Sequence, residues 1–461
     1  MWIRSVLTFD VPGAKYSMAY KRGQWDGKKR MFDIRTGVFP IGLLSYVLRS
    51  GKLRKIDVVD NRKFPKVDQG RLELNTIDVN DPDRHYQLKA IDECIANKNC
   101  LIEAATNAGK TAIFSGLIKK LAPAPTLVLT HRSELLKQTV EYIERYTGLK
   151  CGFITAKDIL IRPVTVAMIT TLVNRLGADQ EVDDYFKSLQ CVIQDEVHHA
   201  QAAQFTAVLE ACPAPYRWGF SGTVPPANEY NGVLVRQFLG DVVYKISNDE
   251  LIALDVSAKP KIFMYEMDVS SQVRGVIGMA KAELEAKDEL YSGQQLMKKV
   301  YEMVVKLGIV QNSERNGKAV EIIKNNPGKS TLIVVDYLEH GEIVEQLLSN
   351  NGISSVFISG KAAHRAQALS DFKAGKLQIL ISTNIIDEGI DISRIEVLIL
   401  LAGKKSRRQL LQRIGRSLRR KEGENVVSVY DFCDHGNKYL LKHSKERMSI
   451  YKQEQFEVEF C

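Results

Sequence analysis

Apolar and polar positions along this chain fall into two long alternating blocks. From Arg84, "QLKAIDECIANKN" places apolar residues at helical spacing. Short apolar runs follow: "CLIEA", "TLVLT", "VTVAMIT", "CVIQ" and "YRWGFS", most of them separated by helix-patterned stretches. Strand–helix alternation of this kind predicts a mostly parallel sheet covered on both faces, spanning residues 83–250. A second block covers residues 329–445. Its predicted strands are "TLIVV", "SSVFIS", "LQILIS", "EVLILL" and "VVSVYDF", with helices at "HGEIVEQLLSN", "HRAQALSDFKAG" and "SRRQLLQRIGRSLRR".

The flanks differ. Residues 1–82 hold short runs, "SVLTFDV" and "KIDVVD", between glycine-containing turns, and read as a small α/β module. A short helix is expected from Gly42 to Ser50, stopped by Gly51, and "NDPD" marks the boundary. Residues 251–328 are charged and helix-rich and read as a linker or insert. Residues 446–461 read as a fraying tail. The fold class is α/β: two parallel-sheet domains, a small basic N-terminal α/β module and a helix-rich connecting region.

At 461 residues the chain is too long for one ordinary core. No run approaches the roughly 20 apolar residues that cross a bilayer. Seven cysteines form no CxxC pair. An odd, scattered set argues for free thiols in a reducing compartment, and so for the cytoplasm. Charge adds a partner. Of the net +9, residues 1–82 hold a surplus of seven, 16 Lys or Arg against 9 Asp or Glu. A basic segment on a nearly balanced body suggests a polyanion, although a solvated basic surface has the same composition.

The firmest chemistry lies in "AATNAGKT", residues 104–111, between a strand and a helix. A turn entering a helix points backbone N–H groups at phosphate oxygens. Gly109 allows close approach, Lys110 can reach the β and γ phosphates, and Thr111 can hold magnesium. Ala104 stands where the general phosphate-loop pattern has its first glycine, and Asn107 is a residue that tolerates the left-handed region. Further on, "CVIQDEVHHA" crowds Asp195, Glu196, His198 and His199 behind an apolar run. A histidine metal site is one reading, but adjacent histidines lack a third ligand at suitable spacing. The other is a strand end presenting Asp195 to magnesium and Glu196 to an attacking water as general base. His198 then relays nucleotide state, while His199 reads equally well as a partly buried histidine bonded to a carbonyl.

In the second block, "STNIIDEGIDI" carries Asp387, Gly389 and Asp391. "LLQRIGRSLRR" carries Gln412, Arg413, Arg416, Arg419 and Arg420, with Arg416 and Arg419 at helical contact spacing. Arginines of this kind can stabilise charge on a transferring phosphoryl group. A basic helix facing solvent or nucleic acid is the alternative.

The ordered set "RHYQ", "AATNAGKT", "THRSELLKQ", "DEVHH", "SGT", "STNIIDEGID" and "QRIGRSLRR" closely resembles a superfamily 2 helicase of DExH type across residues 84–420. The resemblance implies two RecA-like domains, ATP and Mg2+ in the cleft between them, and nucleic acid across both. It implies that Gln87 reads adenine beside Arg84, and that Thr130, Arg132, Thr170 and Thr383 lie in segments that track the nucleic-acid backbone. Ser221 and Thr223 would couple hydrolysis to movement together with Gly389 and Asp391, and Gln412 would line the cleft. Arg416 and Arg419 would be the arginine fingers.

The N-terminal "QWDGKKRMFDIRTGVFPIGLL" resembles, less specifically, the module of phage recombination helicases that unwind and migrate DNA branches. There Trp25 and Phe32 interleave with Lys28, Lys29 and Arg30, a mixture suited to phosphate contact and base stacking. A small structural core with a basic rim would look the same. The expected activity is an ATP-dependent DNA helicase or translocase on forked or branched DNA in replication, recombination or repair. Its rivals are an RNA or RNA–DNA hybrid helicase, a duplex translocase that separates no strands, and a DNA-binding protein with a silent nucleotide site.

Overall fold

Fifteen of the strands build two large sheets, and each belongs to its own compact unit, Met1–Ser247 and Asn248–Cys461. The computed structural model describes all residues except 1, 52–55, 132, 198–202, 287–290, 360–364, 384–394, 404–409, 411–413 and 416–424.

In the first unit, strands β1 (Thr8–Asp10) and β2 (Lys28–Arg30) form a small antiparallel pair. The main sheet contains β3 (Asn99–Ala104), β4 (Thr126–Thr130), β5 (Gly152–Ile154), β6 (Ile159–Leu160), β7 (Val164–Met168), β8 (Cys191–Asp195), β9 (Tyr216–Ser221) and β10 (Val242–Ile246). Their order is β10-β3-β9-β8-β4-β7-β5-β6, parallel except for the β5–β6 pair. The five expected strands are present. The short β5, β6 and β10 were not evident as apolar runs. Strands such as β4 are buried at every position, as a sheet covered on both faces requires. Phe205, Val208 and Leu209 of one covering helix and Val235, Phe238 and Leu239 of another share one hydrophobic core with Leu101, Leu127, Leu129 and Val192 of the sheet.

The N-terminal module is seated on this unit. Leu7, Met31, Leu43 and Val47 form a satellite core with Val233 of the helix Tyr230–Leu239. Gly42 is needed there, since a Cβ would fall 1.9 Å from the Arg236 carbonyl oxygen. The Tyr46 hydroxyl donates to the Ala227 carbonyl at 2.8 Å. The expected short helix runs Leu44–Ser50 with Gly51 as its C-cap. Residues 56–82 lie along the main sheet and its helices. Leu72, Leu74 and Val79 are buried, and Leu72 reaches the helix Lys110–Leu121 beside Gly116. A cut at residue 82 therefore strips apolar cover from the main sheet's helices as well as removing the module.

The second unit's sheet holds β11 (Lys259–Asp268), β12 (Thr331–Val334), β13 (Val356–Ile358), β14 (Ile379–Ser382), β15 (Val397–Leu400), β16 (Val426–His435) and β17 (Glu457–Phe460). The order is β13-β14-β12-β15-β16-β11-β17, parallel throughout. Two expectations change here. Residues 251–328 are no mere linker: β11 pairs with β16 from Lys259–Val426 to Asp268–His435. The cause is its alternation. Ile262 and Met264 are buried on one face, and on the other Phe263 and Tyr265 stack on Tyr430 at 5.0 and 6.3 Å. The helices Val276–Glu285 and Gly293–Val305 that follow share a core with Leu440. The final residues do not fray. Asn437 caps the helix Lys438–Gln453, and β17 then pairs with β11.

Two buried ion pairs fasten this sheet's end. Arg315 bonds to Asp434, and its Nε donates to the Leu401 carbonyl at 3.2 Å. Arg447 Nε and the Tyr451 hydroxyl both donate to Asp431 Oδ2, at 2.8 and 2.6 Å, and Arg447 also reaches the Phe432 and Gly403 carbonyls. No helix among the described residues is long and apolar enough to cross a membrane. Replacing Arg447→Met would leave Asp431 charged and buried without its cation, at a cost of about 3–5 kcal/mol. Equilibrium urea denaturation should show the second unit's transition moving to lower denaturant. An unmoved transition would mean that Tyr451 alone satisfies the carboxylate.

Candidate active site

The phosphate loop follows from how β3 ends. Asn107 and Gly109 both occupy the left-handed region, each at φ 76°. These two reversals turn the chain from Ala104 into the helix Lys110–Leu121, whose N-terminus then lies at the sheet edge. Free N–H groups at such an end attract anions. Lys110 Nζ donates to the Ala104 carbonyl at 3.4 Å, a long contact that a better acceptor can replace. Thr111 is the second residue of the helix and partly exposed.

Gln87 is fully buried, which the sequence did not suggest. Its Nε2 donates to the Ala108 carbonyl at 3.0 Å, bracing the loop from behind. A Cβ at Gly109 would come within 2.5 Å of that nitrogen. The other end of the amide, Oε1, is buried and has no hydrogen-bond partner among the described residues. An unused acceptor beside a loop of N–H donors fits a ligand carrying both an amine and phosphates. Arg84 sits just ahead of the helix His85–Asn97, in a turn opened by Pro82 and capped by the Asp81 side chain.

Asp195 ends β8, separated from β3 by β9 alone. The Glu196 backbone N–H donates to Asp195 Oδ1 at 2.9 Å, and Glu196 itself takes a positive φ of 51°, a strained setting for a glutamate. Burial and then the Glu196 charge push the Asp195 carboxyl up to about 6, against the opposing pull of Lys110 and His131. Two carboxylates crowded at a sheet edge beside a helix N-terminus fit a hard divalent cation, which prefers such oxygens. His131 was not singled out by sequence. Its position directly after β4, on the same edge, was the available signal.

Other expected positions sort by strand. Ser221 ends β9 opposite Glu103 of β3, and its hydroxyl donates to the Thr223 carbonyl at 2.9 Å. Thr130 is buried. Its hydroxyl donates to Ala167 of β7 at 3.4 Å, so this side chain ties two strands together rather than facing solvent. Thr170 is exposed at the start of the helix Ile169–Arg175, and Thr383 is buried just after β14. Lys28, Lys29 and Arg30 are exposed along β2. Phe32 packs on the module's core with Phe39 at 6.4 Å, and the Trp25 indole N–H is held by the Lys28 carbonyl at 2.9 Å. Arg132, His198, His199, Gly389, Asp391, Gln412, Arg416 and Arg419 lie outside the described residues.

Comparison with known proteins agrees with this geometry. Residues 81–226 match the family model of the res subunit of type III restriction enzymes, and residues 314–421 match the helicase conserved C-terminal domain. Together the matches span more than half of the chain. The chain belongs to the superfamily 2 helicases, enzymes that hydrolyse ATP to act on nucleic acid. It is 24% identical to the DNA 3'-5' translocase XPB2 of Sulfurisphaera tokodaii, covering 80% of this chain and 84% of that protein. It is 21% identical to the ATP-dependent DNA helicase uvsW of Enterobacteria phage T4, covering 98% of this chain and 93% of that protein. Among solved structures, the Hef helicase domain of Pyrococcus furiosus aligns with a TM-score of 0.54 at 15% identity, covering 79% of this chain and 97% of that one, a likeness of fold.

The raised Asp195 carboxyl gives a pH prediction for the ligand-free protein. Between the unfolded value of 3.8 and about 6, the folded state holds the extra proton. Stability contributed by this group therefore falls as pH rises through that window, and the full cost of the buried charge is felt above it. Asp195→Asn should stabilise the protein at pH 8 by on the order of 1–2 kcal/mol, and the gain should vanish near pH 4. Thermal unfolding at the two pH values measures it. An equal gain at both would trace the effect to packing rather than charge.

Proposed function

We propose that this enzyme moves on DNA and remodels forked or branched junctions, using magnesium-bound ATP at the edge formed by β3, β8 and β9. The observation that supports the ATP site best is the meeting of the Lys110 loop with Asp195 and Glu196 at one sheet edge, backed by the unused Gln87 acceptor. Bound there with Mg2+, ATP supplies the γ-phosphate bond whose hydrolysis drives movement.

The chain's own groups have separable tasks. Gly109, the helix N-terminus and Lys110 receive phosphate charge. Thr111 and Asp195 would hold the cation, whose positive charge would favour the ionised carboxylate of Asp195. Glu196 orients the attacking water and accepts its proton. Gln87 and Arg84 face the base. Ser221, at the end of the strand between the acidic and basic partners, and Thr223 just beyond it carry the change in ligand state into the sheet edge, with His198, Gly389 and Asp391 as further coupling residues by motif. Arg416 and Arg419, with Gln412 nearby in sequence, are assigned to transition-state charge by motif order.

DNA is preferred over RNA because uvsW, similar along nearly the whole chain, is named a DNA helicase, while the basic surplus of residues 1–82, with Lys28–Arg30 exposed, would serve the phosphates of either. Thr170, Arg132 and Thr383 lie in the segments assigned to the backbone, and such contacts carry little sequence preference. Translocation along duplex DNA without strand separation is the second reading. It is favoured by the restriction-subunit match and by the name of XPB2.

Matched DNA forks, four-way junctions, plain duplexes and RNA duplexes, compared for ATP turnover and product release, test the proposal. Forks and junctions should stimulate turnover most and yield separated or migrated strands. Stimulation by duplex with no strand release would favour the second reading, and stimulation by RNA alone would overturn both. Glu196→Gln should keep nucleotide affinity within a few-fold and lower steady-state turnover at least about 100-fold, the usual scale of a lost general base. Near-normal turnover would remove Glu196 from its assigned task.

A further inference from the structure

The β1–β2 hairpin does not close with a short turn. The Val11 N–H bonds to the Gly27 carbonyl at 2.8 Å, and the residues between them form a protrusion. It is folded rather than loose. Ser17 caps the short helix Met18–Lys21 through the Tyr20 N–H, and the N–H groups of Ala14, Tyr16, Lys21, Arg22, Gly23 and Gln24 all find carbonyls within the protrusion. Tyr20 and Ala14 close over Gly27, where a Cβ would meet them at 3.0 and 3.1 Å.

This ordered backbone nevertheless holds large apolar side chains out in water. Tyr16 is 72% exposed and Met18 60% exposed. Single exposed hydrophobes need no explanation, but Tyr16, Met18 and the 43% exposed Tyr20, gathered within five residues of an internally hydrogen-bonded tip, do. Around them stand Lys15, Lys21 and Arg22, all exposed, with Lys15 Nζ 5.2 Å from the Tyr16 ring centroid. Residues 11–25 contain no acid at all. The flanking acids are already engaged, Asp10 with Lys28 and Asp26 with Arg30. The tip is thus uncompensated positive charge surrounding an aromatic ring and a thioether.

We propose that this protrusion is a wedge that sits at a junction between paired and unpaired DNA, with Tyr16 and Met18 against an exposed base face and Lys15, Lys21 and Arg22 on the flanking phosphates. The inference rests on the reading that the chain works on branched DNA, and deepens it. A polyanion answers the charge, and a base face answers the apolar pair. Plain duplex offers phosphates but stacks its bases away, whereas a junction exposes both. Anionic membrane would also attract the cations, but a helix of four residues has too little apolar face to lie in a bilayer interface.

The test uses the full chain with two variants, Tyr16→Ala/Met18→Ala and Lys15→Gln/Lys21→Gln/Arg22→Gln. Fluorescence anisotropy would be read on a fork, a single strand and a plain duplex across a salt series, and a 2-aminopurine would be placed at the fork's branch point. Wild type should bind the fork best and change the 2-aminopurine signal. The apolar variant should lose that signal and about tenfold or more in fork affinity, with duplex affinity and single-strand-stimulated ATP turnover within about twofold of wild type. The charge variant should flatten the salt dependence of fork binding by about two to three in slope. If wild type is stimulated by forks but the apolar variant keeps its fork affinity and signal, the wedge is wrong and the branched-DNA reading stands. An equal loss on all three DNAs would make the tip a general grip and also overturn the wedge. If wild type ignores DNA forks, both readings fall. Binding of wild type to phosphatidylserine vesicles, lost in the apolar variant while fork affinity is unchanged, would make the tip a membrane contact instead.

Discussion

Parallel pairing governs the first unit. When neighbouring strands run the same way in register, the residue that follows each strand is delivered to the same edge, whatever its distance in sequence. Glu103 lies opposite Ser221, and Asp195 opposite Phe220. The phosphate loop, His131, Thr170, Glu196 and Thr223 are therefore neighbours by topology before any of their side chains interact. The rest of the site is refinement of that edge: a helix N-terminus from one connection, carboxylates from another, a hydroxyl between them.

That edge is also where local preference is overridden. Asn107 and Glu196 are held at positive φ, and Asp195 is kept from shedding its proton at its ordinary pH. Each is costly, by about 1–3 kcal/mol for strained backbone. Such settings persist because strands β3, β4, β8 and β9 beneath them are buried at almost every position and fix where the chain must leave the sheet. Discomfort is concentrated in groups that a phosphate or a cation would relieve.

How much of this was legible in the sequence depends on whether the signal was local. Lys110, Thr111, Asp195 and Glu196 carry chemistry in adjacent residues, and their strands are unbroken apolar runs, so loop and acid pair could be read directly. The left-handed setting of Asn107 was legible because few side chains tolerate it. What depends on distant partners was not. Gln87 braces a carbonyl twenty-one residues away. Thr130 turns its hydroxyl into the sheet because β7 lies beside β4. The sequence "KIFMYEMD" has mixed apolar and charged positions and reads as a strand only once Tyr430 is known to face it. The terminal "FEVEF" looks like a tail until β11 offers an edge. Phe32, whose composition allowed either reading, packs on Leu7 and Met31's core because Phe39 and the helix behind it enclose that side.

The placement of β11 between β16 and β17 also sets a timetable for synthesis. β11 leaves the ribosome long before either of its neighbours exists, and at roughly 5–20 residues per second the wait is on the order of 10–30 s. Through that interval both of its edges and the apolar set Ile262, Met264 and Met267 have no native strand to meet. In the first unit β3 waits in the same way, for β9 at residue 216 and β10 at residue 242, but all eight strands of its main sheet are made before residue 248. Folding therefore proceeds from a finished first unit to an unfinished second one. A stalled nascent chain would expose an open sheet edge, the substrate that chaperones capture and that aggregation exploits.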